Sequence, residues 1–359
     1  MHISRLYISH FRNLKEQEIS LSRGVNLILG KNGQGKTNLL ESVYVLSTAK
    51  SFRAQKTEEL LSWGEEKAAI FGNIVFKEST LDLSVEINKR GKKLLINGNK
   101  PDGIYAGNLV TITFVPSDLE LIKGGPQERR RFLDKHITDV FPETLKYFVS
   151  YQKALEQKLK VLKQDNVTLD TLYPWNRILS ANGAKIFQAR KKYLTLLEEA
   201  SNTEYNSLKF PDGVISFSYE AALRDGEGEE AFELKLNEIS KREIASQLSL
   251  FGVHKDEVKI ETSKTNARSY ASQGQTRSIV IALKLGALRI FEENKNESPV
   301  VLLDDIDSEL DSTRKNGLLS HIVNEKRQVL LTSTGGAELE SAKEKSKVFY
   351  VENGKISEE

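Results

Sequence analysis

The segment Gly30-Lys31-Asn32-Gly33-Gln34-Gly35-Lys36-Thr37 has the residue types of a phosphate cradle. Glycines let backbone N–H groups converge on phosphate oxygens, Lys36 follows at the spacing that reaches β and γ phosphates, and the Thr37 hydroxyl can ligate magnesium. The apolar run Val25–Leu29 precedes this loop and Asn38-Leu39-Leu40-Glu41-Ser42-Val43 follows it. That places the loop between a strand and a helix whose N-terminus adds partial positive charge. A glycine-rich turn that happens to hold Lys-Thr is the plain alternative, and the strand and helix on either side argue against it. Gly30, Lys31, Asn32, Gly33, Gln34, Gly35, Lys36, Thr37 and Asn38 are therefore the candidate contacts to ATP.

Val300-Val301-Leu302-Leu303-Asp304-Asp305 is an apolar strand ending in two acids. Holding a carboxylate at the end of a buried strand is costly unless a cation compensates, and the magnesium at Thr37 is the natural one. Asp304 would then support the metal and Asp305 would polarise an attacking water. Taken alone, such acids more often serve a cap or loop, since Ser308 and Asp311 also supply capping types. A third segment, Ala271-Ser272-Gln273-Gly274-Gln275, opens a long apolar helix; in isolation Ser272 is a good N-cap and nothing more.

The elements that must hold these residues follow from periodicity. Alternating or continuous apolar patterns predict strands over His2–Ser9, Lys15–Leu21, Ala68–Phe76 and Leu81–Ile87, with Leu109–Val115 buried, and Asn97-Gly98-Asn99 suggests a hairpin turn. From Pro126 the spacing becomes helical: Pro126–Val140, Glu143–Lys163, Thr171–Leu208 and, after a strand over Val214–Tyr219, Glu229–Leu250. Helix and strand then alternate again over Ile279–Phe291, Val300–Leu303, Thr313–Val323 and Gln328–Leu331. The expected fold is α/β, one unit made from residues 1–123 and 250–359 with a mostly helical segment, 124–249, inserted.

Composition bounds the rest. The 359 residues include 52 Lys plus Arg against 50 Asp plus Glu, a formal net charge of +2, and no cysteine. Disulfides, Cys-ligated metals and cysteine nucleophiles are excluded. With neither a signal core nor an apolar run long enough to span a bilayer, the expectation is a cytoplasmic protein with no membrane partner.

The three chemical segments together carry a resemblance. Ser272-Gln273-Gly274-Gln275 ahead of an acidic strand looks like the signature motif of ABC-type ATPases, which implies an ABC-type P-loop ATPase head. In that superfamily the serine hydroxyl and glycine N–H complete the γ-phosphate site of a second subunit, so Ser272, Gly274 and Gln275 become expected ATP contacts made in trans. Ser308-Glu309-Leu310-Asp311 resembles the segment crossing that dimer interface. Thr332-Ser333-Thr334 falls where many members place a histidine near the γ-phosphate. The separation of Lys36 from Asp304 exceeds that of a compact transporter ATPase and is far too small for the coiled coil of SMC or Rad50 proteins. It is similar to the RecF family of bacterial DNA repair ATPases, as are Phe11-Arg12-Asn13, Ser51-Phe52-Arg53, Pro116, Asp118-Leu119, Gly124-Gly125-Pro126, Arg129-Arg130 and Phe132-Leu133-Asp134. Two departures stand out: Ser117 where an acid is common after the proline, and Gly252-Val253-His254-Lys255-Asp256-Glu257 in place of Gly-Pro-His-Arg-Asp-Asp. His254 reads equally as functional or as a hydrogen-bonded loop histidine.

The resemblance implies a slow magnesium-dependent ATPase with Lys36, Ser272, Asp304 and Asp305 as its catalytic set. It also implies ATP-driven homodimerisation on DNA at gapped or stalled sites, hydrolysis for release, and RecO and RecR as partners in loading RecA. Candidate DNA contacts are Lys89, Arg90, Lys92, Lys93, Arg129 and Arg130, with Arg190-Lys191-Lys192 a further cluster. Each would grip duplex or junction phosphates, and each is also what a solvated or self-paired face looks like. The alternatives are a transporter ATPase subunit, weakened by the long insertion and missing histidine; an SMC-like structural ATPase, weakened by the absence of heptads; and a P-loop kinase, in which the Ser272 segment has no role.

Overall fold

The computed structural model describes residues 1–77, 79–101, 105–210, 213–305, 312–323, 326–335 and 346–359. They form two compact units, one of residues 1–118, 205–209 and 287–359, the other of 119–204 and 210–286. The second unit thus extends beyond the expected insertion of 124–249 and takes in the Ser272 segment as well.

In the first unit, strands β1 (His2–Ser9), β2 (Gln17–Ser20), β4 (Lys67–Phe76), β5 (Ser79–Asn88) and β6 (Gly91–Ile96) make an antiparallel sheet ordered β2-β1-β4-β5-β6. A second sheet holds β3 (Val25–Leu29), β7 (Thr111–Phe114), β11 (Val300–Leu303), β12 (Val329–Ser333), β13 (Ser346–Glu352) and β14 (Lys355–Glu358), ordered β14-β13-β3-β12-β11-β7. All its pairings are parallel except β13 with β14. Its central strands are buried along their length, the pattern of a sheet covered on both faces. Helix α1 (Lys36–Thr48) packs against both sheets, and Gly72 on β4 makes room for it, since a Cβ there would meet Leu46 at 2.5 Å. Gln328 ties the two sheets together: it is fully buried, its Nε2 donates to the carbonyls of Ile3 and Ser22 at 2.7 Å, and its Oε1 accepts from Ile3 N–H at 2.8 Å. Helix α9 (Ser312–Ile322) also belongs here.

The second unit carries α2 (Glu120–Lys123), α3 (Pro126–Val140), α4 (Leu145–Val161), most of α5 (Leu169–Ser207), α6 (Glu229–Ser246), α7 (Ala267–Tyr270) and most of α8 (Gln273–Lys295). It also has a three-stranded antiparallel sheet of β10 (Thr265–Asn266), β9 (Glu257–Thr262) and β8 (Ile215–Glu220). Its apolar core gathers Tyr151, Leu155, Phe187, Phe232 and Leu236. Among the described residues no helix is long and apolar enough to cross a membrane.

Most expected elements stand, with shifted ends. The β5–β6 hairpin turns at Lys89-Arg90, where Asn88 Oδ1 accepts from the N–H groups of Arg90 and Gly91. The chain turns again at the expected Asn97-Gly98, both with positive φ, and Ile96 and Asn99 exchange both backbone hydrogen bonds across it. Strands β9, β13 and β14 were not anticipated.

Candidate functional site

In the second sheet β3, β12 and β11 are neighbours, so three loops leave their carboxyl ends side by side, the place where open α/β sheets bind ligands. β3 delivers the Gly30–Thr37 loop, β11 delivers Asp304 and Asp305, and β12 brings Thr332 between them. Thr37 Oγ1 donates to Asp304 Oδ1 at 2.9 Å, and Thr332 Oγ1 donates to the same oxygen at 2.8 Å. Asp304 is 6% exposed. Burial holds its carboxyl above the ordinary range, opposed by the two hydroxyl donors, with the Asp305 charge adding to the rise. Asp305 has a left-handed backbone (φ 49°), and its N–H donates to Thr332 Oγ1 at 2.9 Å. Thr37 and Asp304, 267 positions apart in sequence, thus meet at hydrogen-bond distance.

Lys36 is 7% exposed, and its Nζ donates to the carbonyls of Gly30 (2.7 Å) and Lys31 (3.0 Å). Burial lowers its pKa, with Asp305 and Asp304 pulling it back up. The ammonium is therefore folded back onto the carbonyls of its own loop.

The bracing of the loop was not foreseen residue by residue. Asn13 donates through Nδ2 to the carbonyl of Gln34 at 3.1 Å, and its Oδ1 accepts from Asn38 Nδ2 at 2.8 Å. Gly35 has a φ of 121°, and a Cβ there would meet Asn13 Oδ1 at 2.8 Å, so glycine is required on both counts. Gln34 Oε1 accepts from Asn353 N–H at 2.6 Å, and its carbonyl accepts from Gly354 N–H at 3.0 Å. Arg12 makes a two-point bond to Glu41, with Nε to Oε2 at 3.0 Å and Nη2 to Oε1 at 2.9 Å; Glu41 lies fully buried on α1 and also accepts from Ser51 Oγ. Arg53 Nη1 donates to Asn38 Oδ1 at 3.0 Å. The Phe11-Arg12-Asn13 and Ser51-Phe52-Arg53 segments, quoted above only as resemblance, are thus the supports of α1 and its loop. The one sequence signal for them is a charged residue, Glu41, on the apolar side of a helix.

Of the Thr332-Ser333-Thr334 segment, expected where many members place a histidine, Thr332 is the one that meets Asp304. Its hydroxyl proton goes to Asp304, leaving Thr334, exposed at the strand end, as the outward hydroxyl of that segment. Ser308-Glu309-Leu310-Asp311 lies outside the described residues. Ser117 brings no acid, and the neighbouring Asp118 accepts from Val115 N–H as a local cap at 2.7 Å.

Ser272, Gly274 and Gln275 belong to the second unit. Ser272 N–H donates to Gln275 Oε1 at 2.9 Å and Gln275 N–H donates to Ser272 Oγ at 3.2 Å, the reciprocal capping box of a Ser-x-x-Gln helix start. Ser272 is exposed, and since its oxygen is the acceptor its O–H can still donate to an anion.

The basic clusters divide. Lys89 and Arg90 are exposed at the β5–β6 turn, whereas Lys92 Nζ donates to the Ala49 carbonyl at 2.8 Å with a pKa lowered by burial, and Lys93 pairs with Glu86 at 3.2 Å. Of the arginines expected to meet DNA, Arg129 is buried and Arg130 half-buried. Arg129 is 4% exposed and bonds Glu257 at two points, both 2.9 Å, while Arg130 donates to the Asp256 carbonyl. Arg190 is likewise interior, paired with Asp134 and Asp256. His254 proves to be the hydrogen-bonded kind, 2.8 Å from Tyr151 OH through Nδ1, with burial pushing its pKa down to about 4.

A sequence profile described as the RecF/RecN/SMC N terminal domain matches residues 2–102. The DNA replication and repair protein RecF of Ligilactobacillus salivarius is 34% identical over 375 residues, covering 100% of this chain and 98% of that protein. That of Halothermothrix orenii is 36% identical, covering 99% of each. A solved structure of the recombination mediator protein RecF-ATP in the RecFOR pathway superposes with a TM-score of 0.91 at 30% identity, over 100% of this chain and 97% of that one. An Smc head at 16% identity and a TM-score of 0.56 shares the fold alone. With an ATPase head of the ABC type and full-length relatives above 30% identity, the chain belongs to the RecF family of DNA replication and repair proteins.

Proposed function

We propose that this protein is an ATP-gated clamp on DNA. ATP and magnesium join two copies, the joined pair grips DNA at gapped or stalled sites, and slow hydrolysis releases it. The observation that carries the reading is the convergence of Lys36, Thr37, Asp304 and Thr332 at the carboxyl ends of β3, β11 and β12. Lys36 is held by two carbonyls alone, so a phosphate oxygen can replace them as its acceptor and gain a charge-assisted bond. Thr37 and Asp304 are the hard oxygen donors that magnesium favours, and their contact fits that ion. Bound there, magnesium neutralises charge on the β and γ phosphates. Asp305 is the proposed water-polarising group, held in place through its backbone bond to Thr332. Being one methylene shorter than the glutamate usual elsewhere, it suits slow turnover.

The second half of each site comes from the other copy through Ser272 and Gly274, so ATP binding favours the dimer by mass action. Lys89 and Arg90 are the proposed phosphate contacts. The RecFOR pathway named for the solved relative suggests RecO and RecR as partners here too, acting with this protein to load RecA, and the place of action is the cytoplasm. Light scattering together with DNA binding at two salt concentrations tests the reading. The wild type should dimerise and bind DNA only with ATP, and binding should weaken steeply with salt. Lys36→Ala should do neither, and an ATP-dependent dimer of Lys36→Ala would remove the phosphate-loop assignment. Lys89→Ala/Arg90→Ala should lower the salt slope and leave dimerisation intact.

A further inference from the structure

Lys123, the last residue of α2, donates through Nζ to the carbonyls of Ala267 (3.5 Å), Arg268 (3.1 Å) and Ala271 (2.9 Å). Arg268 returns the contact, its Nε donating to the Lys123 carbonyl at 3.2 Å. The four-residue helix α7 has carbonyls that no further turn can satisfy, and a cation there meets both their hydrogen-bonding need and the negative helix end. Ala271 directly precedes Ser272 in the chain. The anchor beneath this clamp is buried: Arg129 bonds Glu257, at the start of the strand leading to α7, and its Nη1 donates to the carbonyls of Leu121 (3.3 Å) and Gly124 (3.0 Å). Gly124 permits the close turn, since a Cβ there would run into the Glu120 carbonyl.

We propose that Lys123 is a positioning residue for the Ser272 segment. It fixes the backbone from Ala267 to Ala271, so that the Ser272 hydroxyl and Gly274 N–H are presented in one orientation to the phosphate of another copy. The proposal rests on the clamp reading for its consequence, while the positioning itself belongs to the single chain. A donor that holds three carbonyls at once lowers the entropy a loop must lose when it docks, which is how preorganisation strengthens association.

The test uses the full chain with Lys123→Met, Lys123→Arg, Ser272→Ala and the double variant Lys123→Met/Ser272→Ala. In the absence of nucleotide, amide hydrogen exchange over residues 267–276 should be at least tenfold faster in Lys123→Met than in wild type, with protection of the α1 amides unchanged. Unaltered exchange there would overturn the positioning role whatever the dimer does. With ATP, Lys123→Met should weaken dimerisation about tenfold while binding of a fluorescent ATP analogue to the monomer stays within twofold, and Lys123→Arg should recover most of the loss. The double variant should be no weaker than the weaker single, because both act on one contact; effects that multiply would mean that Lys123 acts elsewhere. Should Lys123→Met fail to fold, Arg268→Gln, which removes the return bond, carries the same exchange and dimer expectations. A wild type that never dimerises with ATP would sink the clamp reading and leave the exchange result standing.

Discussion

In the proposed site Asp304 would be kept ready for a cation, since a carboxylate is otherwise too costly to bury. Two hydroxyls, from Thr37 and Thr332, donate to a single oxygen and favour the ionised form against burial. Thr332 does two jobs, since the oxygen that gives its proton to Asp304 also accepts the Asp305 N–H. Thr332→Val removes one donor from Asp304 and strands that N–H. The Asp304 pKa should then rise further, and because magnesium needs the ionised carboxylate, the pH at half-maximal ATPase rate should move upward. Turnover at pH 7 should fall tenfold or more, measured as phosphate release across pH, and an unchanged profile would deny Thr332 this role. The same scale explains why the phosphate loop was legible from sequence and its supports were not. Gly33, Gly35 and Lys36 are fixed by local sterics and chemistry. The identity of Asn13 is fixed by groups at positions 34 and 38, and Gln34 by positions 353 and 354, partners that no spacing rule connects.

Among the elements, legibility followed burial pattern and length. Val25–Leu29, apolar but for the buried Asn26, and Val300–Leu303, apolar throughout, are both interior parallel strands. Pro126–Val140 matched its predicted ends, because a proline at the first helical position marks where the helix starts. β9 was missed although Glu257–Thr262 alternates, with Val258, Ile260 and Thr262 buried; that alternation is the signal that would have found it. The arginine clusters misled for a related reason. Charge runs show sign and not partner, and Arg129 and Arg190 are spent inside the second unit on Glu257, Asp134 and Asp256. Gln328 makes the stability consequence at this scale concrete. Gln328→Leu would leave the Ile3 N–H and the carbonyls of Ile3 and Ser22 without it in the interior. The Ser22 carbonyl keeps its bond from Asn26 Nδ2 at 2.9 Å, so the two Ile3 groups are the ones stranded, at a cost of about 2 kcal/mol or more together. Urea unfolding should show a lower midpoint with the slope retained, and a midpoint equal to wild type would mean that the sheets are tied by other means.

For the molecule as a whole the net charge is only +2, and Arg129 and Arg190 are buried against acids, so they offer no charge to a polyanion. Under the clamp reading, a single copy then has little hold on DNA, and affinity depends on bringing two exposed Lys89-Arg90 turns to one duplex. Acid should weaken the second unit selectively. His254 and His136 are both pushed down to about 4 from an ordinary 6.5, burial being the largest cause, so both are neutral in the fold. Unfolded, each takes a proton below about pH 6.5. Their contribution is therefore complete above that pH and is lost as pH falls towards 4, on the order of 3 kcal/mol per histidine. Melting curves between pH 7.5 and 4.5 should show this decline, and His254→Asn should flatten part of it; a parallel decline in the variant would assign the acid sensitivity to carboxylates instead. One feature also bears on how the chain is made. β3 receives both of its strand neighbours, β12 and β13, from beyond residue 328, and Gln34 is held by Asn353 and Gly354. On the ribosome β3 and the loop after it emerge long before the strands that pair with β3. Until then β3 is an unpaired apolar segment on a nascent chain, exposed to chaperones and to misassembly. A chain broken off before residue 329 would thus carry the Gly30–Thr37 loop without either strand that flanks β3.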